Sequence, residues 1–324
     1  MAEIPTLDNN TQNSASNLLL TSDGLPLPNA IKKNLWRSIN RLVTGLVDVP
    51  VAYLESKTMQ IKAEAKALAY ITEKASQSAA SKFEQDDQLI ERSVNYFGKK
   101  LLKEQINREK VTQLAVDDLT NNPPQTDAKS EIDLDWLDMF SRICESKSNE
   151  EIQLFLSKIL SGEIRHPGSF SLKTIQTLSL LDQVAATIFQ SFCNISYEIP
   201  EIGDVSLCLI TEPMGSPGQN GLLPVNLNYR NLTQLQDAGL IQYDLTAWRK
   251  MTALMFTTPF KIGSKIYHFK PTELTPNNPI QVAVINFTKV GMEIRRVMQV
   301  SENPVYNQNF EEWLPKKFHL TTVS

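Results

Sequence analysis

Apolar residues first fall into a regular pattern at Ile31 and keep it through Leu35, Trp36, Ile39, Leu42, Val43, Leu46 and Val47. That is the spacing of one face of an α-helix, and Lys32, Lys33, Arg37 and Arg41 share the opposite side. Two readings of this helix follow. Either its apolar face packs in a bundle with the cations solvated, or Lys32, Lys33, Trp36, Arg37 and Arg41 form a membrane-surface helix facing anionic lipid. Pro50 ends the pattern, because proline cannot donate to the preceding turn. Beyond it, a proline-free run to Leu119 is dominated by strong helix formers. Ile90, Val94, Phe97 and Leu101 step by four, three and four residues, the heptad alternation. A small, polar stretch at 76–88 is the expected bend, with Gly98 a second candidate. The apolar stripe is too thin for a helix standing alone, which predicts self-association or docking on later helices.

Asn121-Asn122-Pro123-Pro124 opens a linker. The next helix starts among Asp133, Asp135 and Asp138, acids that a helix dipole favours in the first turn. Ser148 with Glu151 fits a capping box, and Ile152, Phe155, Leu156, Ile159 and Leu160 make the core face of the helix that follows. His166-Pro167-Gly168 is a tight corner, since Pro167 bars continuation and Gly168 permits reversal. Ser169 or Ser171 caps the next helix, and Asp182 begins another. From about Ser196, short β-rich runs take over: VSLCLI, LIQYD, KIYHF and QVAVINF. Between them 227–236 reads as a helix closed by Gly239, and 260–269 as a hairpin around Gly263-Ser264. Residues 282–287 read as a strand feeding a helix capped at Thr288.

The expected fold class is therefore α+β and mostly helical. It has a disordered leader at 1–28, a long helical or coiled-coil region at 29–120 and a linker at 121–133. A central helical bundle at 134–195 and a mixed α/β, winged-helix-like domain at 196–324 complete it.

Charge narrows the partners. A net charge of -4 argues against coating nucleic acid by bulk attraction. Cys144, Cys193 and Cys208 show no CxxC spacing, which suits buried thiols in a reducing cytoplasm. No apolar run approaches the roughly 20 residues that span a bilayer. The expected location is cytoplasmic, with a peripheral place at the inner membrane under the membrane-surface reading.

Candidate chemistry is sparse. Glu163 and His166 have the Glu-x-x-His spacing of half a dimetal site, but the second pair is missing. GSPGQNG at 215–221 lacks the Gly-Lys-Ser/Thr that completes a phosphate loop. No nucleophile elbow appears. No residue is accordingly assigned a catalytic, cofactor-binding or metal-ligating role, and no cofactor is expected. The order helix, glycine turn, strand, hairpin, strand, helix suggests a winged helix, in which Lys261, Lys265 and Lys270 would be the nucleic-acid contacts. Against that, residues 196–324 hold 11 basic and 11 acidic side chains.

DWLDMF, SNEEIQLFLSKILSGEIRHPGSFSLKTIQTLSLLDQVAATIF, LQDAGLIQY and FTKVGMEI together resemble a bacterial family, domain of unknown function 2806, over about 133–297. The middle part is also similar to the abortive infection alpha group. The specific part is the corner carrying Gly162, Glu163, Pro167, Gly168, Ser169, Phe170 and Ser171, and its expected role is structural. The second resemblance implies, by name, phage defence. The expected function is a non-enzymatic component that self-associates through its N-terminal helices and meets a protein partner, a phage-derived trigger or a membrane surface. A nucleic-acid-binding regulator is the alternative.

Overall fold

The structure is a computed structural model that describes residues 25–44 and 87–322. Leu46, Val47, Pro50 and most of the expected bend lie outside the described residues. Two compact units divide between Ser169 and Phe170, inside the corner.

Unit 1 is helical. Helix α1 (Asn29–Ile39) runs into a π-helical turn (Asn40–Thr44), followed by α2 (Asp87–Asn121), α3 (Leu134–Ser146) and α4 (Glu150–Arg165). The C-terminal half of α2 packs on α3 and α4, burying Val111, Ala115, Val116 and Leu119. Ile31, Leu35, Trp36 and Ile39 of α1 are buried as well, so the apolar pattern of the sequence is a packed face here. Pro28 offers α1 no side-chain cap, and the cap comes from far along the chain. Asp127 accepts from Ala30 N at 3.0 Å and Ile31 N at 3.2 Å. The 121–133 segment is tied further by Asn34, whose Oδ1 accepts from Ile132 N and whose Nδ2 donates to Ser130 O.

Two local expectations shift by a residue. The cap of α4 is Asn149 rather than Ser148, its Oδ1 accepting from Glu151 N and Ile152 N. Ile152 is exposed, and Gln153 turns inward instead, because its amide donates to Lys147 O at 2.9 Å and Asn107 Oδ1 at 3.2 Å.

Unit 2 opens with α5 (Leu172–Leu180) and α6 (Gln183–Asn194), capped by Ser171 and Asp182. The strands are β1 (Tyr197–Glu198), β2 (Cys208–Ile210), β3 (Ile241–Gln242), β4 (Trp248–Met251) and β5 (Phe260–Ile262). β6 (Lys265–Tyr267), β7 (Phe269–Pro271), β8 (Ile280–Phe287) and β9 (Leu320–Thr322) follow. The helices among them are α7 (Tyr229–Asp237), α8 (Leu254–Thr257), α9 (Lys289–Arg295) and α10 (Pro304–Phe318). The main sheet runs β3-β8-β2-β1-β5-β6, with β4 also on β8, and its pairings are antiparallel. β8 holds the centre, with Val282, Val284, Ile285 and Phe287 buried.

The hairpin forms as β5–β6 but stops at Tyr267, and Phe269 leaves to pair with Thr322 in the β7–β9 ribbon. β3 and the hairpin sit at opposite edges of the main sheet. Phe256, Phe260, Tyr197 and Phe310 form a shared aromatic core beneath it, with ring centroids 5.3–6.5 Å apart. Gly239 ends α7 at φ +72°, and Leu240 N donates back to Leu235 O, the 6→1 bond of a Schellman turn.

Candidate functional site

The corner is the most distinctive string, and its side chains are engaged in holding backbone. On the unit 1 side, the Glu163 carboxylate is buried and accepts from Gly168 N at 2.5 Å. Gly168 stands at φ +86°, where a side chain would be strained. Arg165 reaches back to the end of α2, donating to the carbonyls of Asp118 at 3.1 Å and Asn122 at 3.0 Å. Its other nitrogen pairs with the Asp118 carboxylate at 2.7 Å, and Ser161 Oγ donates to the same oxygen at 2.6 Å. Burial works to raise the Asp118 pKa, but the hydrogen bonds from Ser161 and Arg165 and the guanidinium charge outweigh it and leave it lowered. Gly162 lies half-buried in α4 among these residues.

On the unit 2 side, Phe170 is buried and Ser171 opens α5. Ser171 N and Oγ donate to Glu293 Oε2 at 2.7 Å and 3.0 Å, and Thr174 Oγ1 does so at 2.6 Å. A buried carboxylate thus gathers the first turn of α5. His166 is exposed while Glu163 faces inward, so their Glu-x-x-His spacing does not put them on one face. Among the described residues no cluster of three His, Cys, Asp or Glu is placed to hold a metal ion.

The basic face of α1 meets acids of its own unit. Lys33 and Arg37 pair with Glu131, and Arg41 with Asp138. Hydrogen bonding from Lys33 and the charge of Arg37 hold the Glu131 carboxyl below its ordinary range. Trp36 is buried, and Lys32 is half-buried. A membrane-surface role for this helix requires its undocking. Among the described residues no helix is long and apolar enough to cross a membrane.

The three hairpin-region lysines do not converge. Lys261 stands in β5 opposite Glu198, Lys265 in β6 pairs with Glu311 at 2.7 Å, and Lys270 lies exposed on the separate β7–β9 ribbon. The hairpin tip is packed rather than free, since a Cβ on Gly263 would collide with the carbonyls of Asn194 and Ser301. All three cysteines are buried, and burial pushes the Cys193 and Cys208 thiols up to about 12.

The surface that stands out is apolar. In the N-terminal half of α2, Tyr96, Phe97, Leu101, Leu102 and Ile106 are 41–65% exposed. Phe97 and Leu101 lie on the helix face that reaches the buried Val111 and Ala115 by heptad steps, with Glu104 and Arg108 between them. The heptad in the sequence signalled this stripe, but not that its support ends near Asn107.

No curated protein and no solved structure matches the chain. A family model described as Protein of unknown function (DUF2806) matches residues 91–311, from the exposed half of α2 through the corner and the sheet to α10. The chain belongs to the DUF2806 family.

Proposed function

We propose that this protein is a non-enzymatic, cytoplasmic assembly component that works through the exposed half of α2. The observation that carries this reading is a helix face made for packing that runs past the end of its support, leaving Phe97 and Leu101 in solvent. Soluble proteins rarely leave a contiguous apolar stripe uncovered without a partner for it. The resemblance of the corner to the abortive infection alpha group supports placing that assembly in phage defence, answering a phage-derived trigger.

The test uses the full chain, wild type against a Phe97→Glu/Leu101→Glu double variant. Sedimentation velocity measures the assembly, and plaque counts on cells expressing each form measure defence. The wild type is expected to sediment as an oligomer and to lower plaque numbers, and the variant to sediment as a monomer and restore them. Identical sedimentation of the two would sink the assembly reading. A monomeric variant that still lowers plaque numbers would separate assembly from defence.

A further inference from the structure

We infer that the solvent side of α2 is a binding surface for single-stranded nucleic acid, built from Arg92, Lys99, Lys100, Lys103 and Lys110 around Tyr96. At 3.6 residues per turn, steps of seven, four and seven keep Arg92, Lys99, Lys103 and Lys110 within about 40° of one another over roughly 27 Å of helix. Lys100 stands beside that line, one turn after Tyr96. All five cations are exposed. The Tyr96 ring is 65% exposed among them and is braced edge-on by Phe97, with ring centroids 5.6 Å apart.

The row is of one sign. Residues 92–110 hold six basic and two acidic side chains, +4 within a chain of net charge -4. The sixth cation, Arg108, turns to the packed side and pairs with Glu145 at 2.7 Å. Glu104 stands off the line and meets Lys100 at 3.8 Å, and Glu109 falls about 100° round from it. By position Asp87 and Glu91 lie off the line as well, and Asp117 closes it beyond Lys110. Arg92, Lys99, Lys103 and Lys110 form no ion pair with another described residue. A solvated helix face ordinarily mixes its signs, whereas a row of one sign makes a local field that attracts a polyanion. The opposing net charge of the chain is screened beyond about 10 Å at 0.1 M salt.

Geometry selects among polyanions. Phe97 and Leu101 lie about 140–180° round from the middle of the row. A helix resting those two side chains in a bilayer would turn its lysines to water and away from the lipid headgroups. An exposed aromatic ring within a cationic row is instead the arrangement that stacks an unpaired base while lysines on either side hold phosphates. Lysines act as point charges and a ring accepts any base, so binding is expected to be indifferent to sequence. The row occupies the other side of the helix from the face used for assembly, and it stands whether or not that reading does.

The test is fluorescence anisotropy of the full chain with a labelled thymidylate strand of about 20 nucleotides, its uridylate RNA counterpart and a duplex of the same length, from about 50 to 200 mM salt. The wild type is expected to bind single strands more tightly than the duplex, with log affinity falling against log salt at a slope of about -3.5, or about 0.7 for each of five cations. A preference between the DNA and RNA strands would name the ligand. Lys99→Glu/Lys103→Glu should reduce the slope to about -2 and weaken binding by at least about tenfold. Tyr96→Ala should weaken it roughly tenfold and leave the slope unchanged. Lys250→Glu/Lys270→Glu, the same change of charge on exposed lysines of unit 2, should leave binding as it was. Equal weakening by the two double variants would reduce the effect to bulk charge and overturn the inference. A duplex bound as tightly as the single strands would overturn it too, as would no binding at the lowest salt. Binding to vesicles containing phosphatidylserine, with none to either strand, would assign the row to a membrane instead.

Discussion

Glu163 and Glu293 each turn a buried carboxylate toward backbone N–H groups of the corner, one within unit 1 and the other within unit 2. Truncating Glu293 leaves Ser171 N, Ser171 Oγ and Thr174 Oγ1 without their shared acceptor. Glu293→Ala is expected to cost about 2–4 kcal/mol in a urea titration, and Glu293→Gln less, because it keeps the shape and one acceptor oxygen. Asp118 makes a pH prediction. Its folded pKa lies below its unfolded value, so its stabilisation is present above the ordinary aspartate pKa of about 3.9 and fades as pH falls through the lowered value. Asp118→Asn should flatten that acid limb in a series of melts across low pH. Asn307 points the other way. It is buried, and neither amide atom has a hydrogen-bond partner among the described residues, whereas its neighbour Tyr306 donates to Ile210 O at 2.6 Å. Asn307→Leu is expected to raise stability by about 1–3 kcal/mol in the same titration, and a loss would show that the amide is held by something bound. Glu163 was singled out with the corner, but Glu293, Asp118 and Asn307 were not legible in the sequence, because the partner of Ser171 lies 122 residues away and nothing local marks which carboxylate turns inward.

The elements were far more readable than the contacts that join them. Thr288 caps α9, Asp182 caps α6 and Gly239 closes α7, each at its expected position, because capping depends on residues within one turn. Asn149 displaced Ser148 for a reason of the same kind, since an amide oxygen one residue nearer the helix serves the same N–H groups. Where an element meets a neighbour, the sequence was silent. Gly168 is marked in the chain by Pro167 before it and Gly291 by nothing, and they are required for different reasons. Around Gly168 there is open space, and the demand is conformational, so Gly168→Ala should cost about 1–2 kcal/mol. At Gly291 a Cβ would run into the carbonyl of Leu240, at the turn that joins α7 to β3. Gly291→Ala should therefore be the more damaging of the two in parallel thermal melts, because backbone must move to admit it.

Across the whole molecule, a net charge of -4 conceals a matched pair of segments, a basic α1 and the acidic stretch that holds Asp127, Glu131 and Asp138. Along the chain each reads as a separate piece, a helix here and a linker there, and the pairing appears only in three dimensions. Asp127→Ala should cost about 1 kcal/mol, read as a lower urea midpoint, by uncapping a helix elsewhere in the chain. The same distance has a consequence for synthesis. The cap of α1 lies 97 residues downstream of Ala30, and ribosomes add about 5–20 residues per second. For roughly 5–20 seconds the nascent chain carries an amphipathic helix whose apolar face and cations both await partners not yet made. The first of the described helices is thus among the last parts of its unit to be secured, and in that interval it is a natural client for a ribosome-bound chaperone.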